Sequence, residues 1–427
     1  MILIKNAIIL PLDENTFIKK GDIIIKDSKI QYVGRSIEWK EEFEETIDAS
    51  DCIVMPGFVN SHTHLAMTLM RGIWDDIPLD LWLNNYIFPV EKMLTEEDVY
   101  FGSLLAIIES IRTGTTTITD FYYYPEVVVK AIRESGMRAN ISFAFSSRRG
   151  FNKIILKKAE SFVKKFDNME NGRILASLAL HSPYTSTPAL YAQSARIANK
   201  LNVIVQTHLH ETLKEVEDYK GKYGKSPIEK LDEEGFFEAR VTAAHCVWLT
   251  DAEIEILKEH HTGVVLNPKS NLKLGSGIPD VAKLLKSGLN LSIGTDGASS
   301  NNNLSVLEDM RLAMLIAKGK TRDPSSIDAF TAMRLATVNG ALNLGFKDVG
   351  LLKEGYKADM VIIDTKKVNL VSIENPYSQI AYSMYPEDID TVIIDGRIIM
   401  RDGKILTIDE DFVKSRFIES YKRLLKI

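Results

Sequence analysis

Cysteine is nearly absent: the 427 residues hold two, Cys52 and Cys246. That is too few for a disulfide framework, and neither sits in the C-x-x-C pair of a thiolate zinc site. No apolar run reaches the roughly 20 residues that span a bilayer. The opening segment, MILIKNAIILPLDENTF, breaks its apolar runs at Lys5, Asn6 and Asp13 and lacks the layout of a secretory leader. Positive charge is not in excess either. Lys and Arg number 52 against 58 Asp and Glu, a net charge of −6, so the basic face of a nucleic-acid binder is missing. There is no G-x-x-x-x-G-K-[ST] loop to support phosphoryl transfer of that kind. Glutamine is confined to Gln31, Gln193, Gln206 and Gln379, a bias compatible with a thermophilic source. The expectation is a reducing, cytoplasmic protein that partners neither membranes nor nucleic acids.

What is present is ordinary globular material, 45% hydrophobic and 26% charged. The first fifty residues read as short strands between Asn, Asp and Gly turn signals. From Ile53 the texture changes. Eight apolar runs (IVMPGFVNSH, TTTITDFYY, RANISFAFS, RILASLALH, NVIVQTHLH, VTAAHC, GVVLNP, LNLSIGTD) alternate with amphipathic helical stretches. Continuously apolar strands, each followed by a helix, mean parallel strands covered on both faces. Eight over about 240 residues predicts an α/β fold with a (β/α)₈ barrel of the TIM type. Helical stretches around 303–319 and 326–344 follow, and then short strands return. The two chain ends are therefore expected to form one small β-sandwich domain: residues 1–54 and 348–427, the latter with a terminal helix, flank a barrel over 55–347.

Six of the eight histidines fall at C-terminal ends of predicted barrel strands, where barrel enzymes build their sites: His62, His64, His181, His208, His210 and His245. His62 and His64 share strand parity and aim at one spot. With His208, His245 and Asp296 they make an N/O ligand set suited to Zn²⁺, with Fe²⁺ or Mn²⁺ as alternatives. His210 shares parity with His208, so geometry alone does not choose between them. His260 and His261 end a helix and read as dipole-favoured surface residues. Cys246 reads as a small packing residue.

At this point the chain resembles the amidohydrolase superfamily over nearly its whole length. PGFVNSHTHLAMTLMRG is similar to the first-strand H-x-H signature, HLHET to the fifth-strand histidine with its glutamate, AAHC to the sixth-strand histidine, and GTDGASSNNNLSVLEDMR to the eighth-strand aspartate. ATVNGALNLGFKDVGLLKEGYKADMVIID resembles the return into the β domain. Within the superfamily, IPLDLWLNNYIFPVEKMLTEEDVY resembles the substrate-binding stretch of the group deaminating S-adenosylhomocysteine and methylthioadenosine, which includes archaeal 5′-deoxyadenosine deaminases. Binuclear members carry a carboxylated lysine at the fourth strand end. Here that place holds His181, which argues for one metal per subunit. The resemblance then implies His62, His64, His208 and Asp296 as ligands, with His245 beside the water.

The chemistry this implies is hydrolytic deamination of a small nucleoside, a 5′-substituted adenosine, to the inosine analogue and ammonia. A bound metal ionises water near neutral pH. Attack on the amino-bearing carbon needs a proton on the adjacent ring nitrogen. Glu211, three residues after His208, is the candidate acid; the alternative is a carboxylate spent on a helix start. Asp296 can accept the water's proton, and His245 can orient the water. A ribose-binding glutamate is implied at Glu91, which suits two hydroxyls. His181 can bond purine or sugar, and Trp82 can wall the adenine or simply pack a helix. Arg148 or Arg149, with Arg148 favoured, is implied at the amino-acid carboxylate of S-adenosylhomocysteine, although the spacing aligns poorly. A homo-oligomer is expected of a large barrel. Two rivals are a deaminase or dechlorinase of guanine, cytosine or triazine rings, and a non-catalytic scaffold on the same fold.

Overall fold

The structure is a computed structural model that describes residues 1–147 and 153–426. The eight predicted barrel runs become eight consecutive, mutually parallel strands: Phe58–Asn60, Thr115–Tyr122, Arg138–Phe145, Ile174–Leu180, Val205–Leu209, Val241–His245, Gly263–Leu266 and Asn290–Ile293. Almost every strand residue is buried, as continuously apolar strands between helices require. First and eighth strands are knitted by Ser61 N–H to the Ile293 carbonyl (3.0 Å), Asp296 N–H to the His62 carbonyl (2.9 Å) and Asn60 Nδ2 to Thr295 Oγ1 (2.8 Å). The seam of the barrel therefore lies where the first-strand histidines face the eighth-strand aspartate. A Cβ on Gly294 would come within 2.8 Å of the His62 backbone nitrogen, so only glycine lets the eighth strand pass there.

The first predicted run is two strands, not one. Cys52–Pro56 belongs to the other sheet, and Phe58–Asn60 to the barrel. The break falls at Gly57, where a Cβ would collide with the Thr116 side chain. Apolar content cannot reveal this, because both halves are buried. Ile18–Lys26 and Lys29–Arg35 are separated by a tight turn at Asp27, in left-handed conformation (φ 54°), a place where Asp tolerates such a turn.

The chain ends meet in a nine-stranded mixed sheet. Cys52–Pro56 runs antiparallel to Met360–Asp364, pairing Cys52 with Asp364 and Pro56 with Met360, which joins the N-terminal and C-terminal strands. Its apolar face packs Ile4, Ile9, Ile23, Ile25, Val54, Met360 and Ile362. Helix Glu410–Leu425 then packs back on barrel helix Glu96–Arg112, with Arg112 gripping both carboxylate oxygens of Glu410 (2.7 and 3.0 Å).

One buried ionic knot ties sheet to barrel. Arg138, fully buried at the start of the third barrel strand, grips Asp359 with two nitrogens and reaches Asp395 Oδ1 at 2.8 Å. Breaking such a pair strands the buried Asp359 carboxylate away from water. Arg138→Ala is expected to cost about 3–5 kcal/mol of stability, read as a lowered midpoint in guanidinium denaturation. An unchanged midpoint would show that the knot does not hold the sheet to the barrel.

Candidate metal centre and active site

His62, His208, His245 and Asp296 each offer one ligand atom, and these four atoms lie within 4.8 Å of one another. His64 joins them: its Nε2 is 3.1 Å from His208 Nε2 and 3.3 Å from Asp296 Oδ1. Local backbone explains the convergence. His245 (φ 75°) and Asp296 (φ 62°) are both left-handed, which turns their side chains inward past the strand ends. Such residues cost of order 1–3 kcal/mol each and gather at functional sites.

The imidazole tautomers follow from what each ring's other nitrogen touches. Nδ1 of His64 faces the Phe121 carbonyl (3.0 Å), Nδ1 of His208 the His181 carbonyl (2.6 Å) and Nδ1 of His245 the Asn271 Oδ1 (2.8 Å). A carbonyl only accepts, so each Nδ1 carries the proton and each Nε2 presents a lone pair to the centre. Burial pushes His62 down to about 4 and holds His64 and His208 below the usual histidine range, so the rings stay neutral. Two bare lone pairs at 3.1 Å repel, and the buried His62 Nε2 has no hydrogen-bond partner. A divalent cation resolves both conditions, so the donor set fits a metal.

Asp296 supplies the negative charge. Ser270 and Ser300 hydroxyls donate to Oδ2 (2.7 and 2.8 Å), and the Gly297 N–H donates to Oδ1 (2.8 Å). Burial works against its ionisation, but His62, whose Nε2 stands 3.4 Å from Oδ1, together with His64 and His245, outweighs it and holds the carboxyl well below the usual carboxylate range. Asn267 Oδ1 accepts the His245 N–H at 3.2 Å. None of Ser270, Asn271, Ser300 and Asn267 was singled out in the sequence. The available signal was the dense small polar runs NPKSN and GASSNNN directly after the seventh and eighth strands.

Glu211 is 5% exposed, with Oε2 at 3.9 Å from His245 Nε2 and Ser276 Oγ donating to Oε1 at 3.4 Å. Burial, reinforced by the Asp296 charge, raises its carboxyl above the ordinary value, while His245 opposes. The helix start beside it is capped by Thr212, whose hydroxyl accepts the Glu215 N–H at 3.1 Å. The Glu211 carboxylate is therefore not spent on the helix.

His210 leaves the cluster. Its backbone is left-handed (φ 51°), which ends the strand parity it shares with His208 in the sequence. Nδ1 turns to the Trp248 carbonyl (2.8 Å) and Nε2 lies 3.9 Å from Glu253. Cys246 packs into the core, and His260 caps its helix and pairs with Asp232 at 2.8 Å.

A helical strap, Leu79–Trp82, Leu83–Ile87 and Phe88–Glu91, lies near the mouth. Its middle is a π turn, a local widening frequent at functional sites. Phe88 contacts His181 edge-on (centroids 6.3 Å), and His181 contacts His208 (5.0 Å). Nδ1 of His181 is within 3.0 Å of Ser182 Oγ and 3.2 Å of Thr185 Oγ1. Glu91, at the strap's end, accepts from Tyr122 and Tyr123 hydroxyls. Trp82 is buried in the hydrophobic core and, among the described residues, makes no ring contact with the histidines. Arg148 and Arg149 lie outside the described residues. Lys273 fastens three loops at this end of the barrel: its ammonium bonds Asp75 (2.6 Å), the Ser299 carbonyl (3.0 Å) and Asn302.

Among the described residues no helix is long and apolar enough to cross a membrane. Comparison with known proteins places this site in context. The chain is 43% identical to a 5-methylthioadenosine/S-adenosylhomocysteine deaminase of Carboxydothermus hydrogenoformans, over 100% of this chain and 98% of that protein. It is also 43% identical to a 5′-deoxyadenosine deaminase of Methanocaldococcus jannaschii, over 99% of this chain and 100% of that one. Its fold superposes on a zinc-bound adenosine deaminase of Xanthomonas campestris with a TM-score of 0.96 and 30% identity, covering 100% and 99% of the two chains. Residues 53–399 match the description of the amidohydrolase family, and the chain belongs to that family.

Proposed function

We propose that the protein is a zinc-dependent aminohydrolase that converts 5′-substituted adenosines (5′-deoxyadenosine, S-adenosylhomocysteine, methylthioadenosine or adenosine itself) to the inosine analogue and ammonia. The observation that carries this reading is the placement of one buried carboxyl with a raised pKa, Glu211, 3.9 Å from His245 at the edge of the imidazole–carboxylate cluster. A carboxyl at that place can hand a proton to the ring nitrogen beside the carbon that water attacks. Full-length similarity to deaminases of these nucleosides supports the same conclusion.

In this reading His62, His64, His208 and Asp296 hold one cation per subunit. That cation, when bound, makes water acidic enough to supply a nucleophile near neutral pH. Glu211 gives its proton to the ring nitrogen next to the amino-bearing carbon, then passes protons on to the departing amine. Asp296, oriented by two serine hydroxyls, takes up the proton released from water. His245, its Nδ1–H fixed on Asn271, directs Nε2 at the attacking oxygen. Glu91 accepts the ribose hydroxyls from the strap, and His181 contacts purine or sugar.

The test is ammonia release across a panel of 5′-modified adenosines and free adenine. Nucleosides are expected to turn over and the free base is not. Glu91→Ala is expected to raise KM for nucleosides by about 10-fold or more, the worth of hydrogen bonds to a charged group. Turnover of adenine or guanine equal to that of adenosine would favour a free-base enzyme instead.

A further inference from the structure

Three tyrosines in a row close the second barrel strand and begin the turn after it, and all three hydroxyls reach the same short piece of chain. Tyr122 Oη donates to Glu91 Oε1 (2.8 Å), Tyr123 Oη to Glu91 Oε2 (3.2 Å) and Tyr124 Oη to the Leu94 carbonyl (3.2 Å). Consecutive residues on a strand point to opposite faces. Here the strand stops at Tyr122, and Tyr124 is left-handed (φ 52°), so the parity is broken and three neighbours converge. The arrangement is asymmetric in depth. Tyr122 is buried and its ring lies 6.1 Å from that of His64, while Tyr123 is 43% exposed. The two rings meet edge-on, centroids 5.2 Å apart. Burial and the adjacent Glu91 charge raise the Tyr122 phenol well above its usual value, so it stays a donor throughout the working pH range.

A glutamate at a helix end can rotate its carboxyl plane freely. One hydroxyl donor on each oxygen removes that freedom. A carboxylate fixed in plane suits one partner in particular, a pair of neighbouring hydroxyls held at constant spacing.

We propose that Tyr122 and Tyr123 are positioning residues that fix the plane of the Glu91 carboxylate for the cis-2′,3′-diol of the substrate. The inference rests on the reading of Glu91 given above and deepens it. The enzyme selects nucleosides with an intact diol, and the two tyrosines set that selectivity without touching the base being deaminated. Tyr124 pins the end of the strap to the same strand end, so the strap and the diol reader move as one unit.

The experiment compares adenosine with 2′,3′-dideoxyadenosine for wild type, Tyr122→Phe, Tyr123→Phe, the double variant and Glu91→Gln, each checked for folding by thermal denaturation. Phenylalanine keeps the rings and removes only the donors. The expected result for the double variant is a rise in KM for adenosine of about 10-fold, with kcat within about two-fold. The gap between variant and wild type should close to within about two-fold on the dideoxy substrate. Equal losses on both substrates would mean that the hydroxyls only hold the loop, and no loss on adenosine would mean that they hold nothing the substrate feels. Either result overturns the proposal. If Glu91→Gln discriminates between the two substrates while the tyrosine variants do not, Glu91 still reads ribose and only the tyrosines are excluded. If Glu91→Gln shows no discrimination, the ribose reading falls with them.

Discussion

Glu211→Gln is expected to keep its full metal content and lose about 10²–10⁴-fold in kcat, the range by which a positioned acid accelerates proton transfer. Glutamine preserves the shape and the Ser276 contact but has no proton to give. Metal content is expected to hold because Glu211 is not among the side chains whose ligand atoms gather within 4.8 Å of one another. Two measurements on one preparation, metal by elemental analysis and ammonia release, separate the outcomes. Retained metal with a near-normal rate would remove Glu211 from the reaction. Lost metal would make it a ligand or a support of one. The carboxyl's surroundings favour the acid role. Desolvation raises its pKa, and the neighbouring Asp296 charge adds to that shift. The nearby Glu215, also buried and pushed up to about 8, binds the Glu211 N–H at 2.9 Å and fixes the backbone from which the acid projects.

How far the sequence carried this site depends on whether each residue's position was set by regular strand geometry. His62 and His208 were legible because they extend apolar runs whose strand character is unambiguous, and the barrel then dictates where strand ends point. Glu211 followed from its distance beyond His208. His210 was not separable from His208, because the reason it leaves, a left-handed backbone at a non-glycine residue, has no reliable sequence mark. The same applies to Tyr124, whose turn brings three tyrosines together. Residues that orient the ligands were missed for a different reason. Ser270 and Asn271 act on Asp296 and His245 from the loop after a different strand, contacts that exist only once the barrel is closed, while Ser300 reaches back to Asp296 through a short turn after the eighth strand. In the fold, the split of the first run at Gly57 escaped notice because two buried strands of different sheets share one apolar texture.

Those orienting serines give the second large effect. Asp296→Ala is expected to yield protein with little metal and no measurable turnover, because it removes the one anionic donor from a set of neutral imidazoles. It also leaves the buried Ser270 hydroxyl and the Gly297 N–H without their acceptor. The Ser270→Ala, Ser300→Ala double variant should differ in kind. The carboxylate remains, held only by the Gly297 N–H on Oδ1, so metal affinity should fall about 10–100-fold, the usual worth of residues that orient ligands. Excess zinc should therefore restore turnover in the serine variant and fail to restore it in Asp296→Ala. Zinc titration of chelator-stripped protein, followed by ammonia release, reads both at once. A serine variant that binds zinc as tightly as wild type would show that the histidines alone hold Asp296 in place. Rescue of Asp296→Ala turnover by zinc would show that the imidazoles suffice to hold the metal and that the aspartate is not the acceptor of the water's proton.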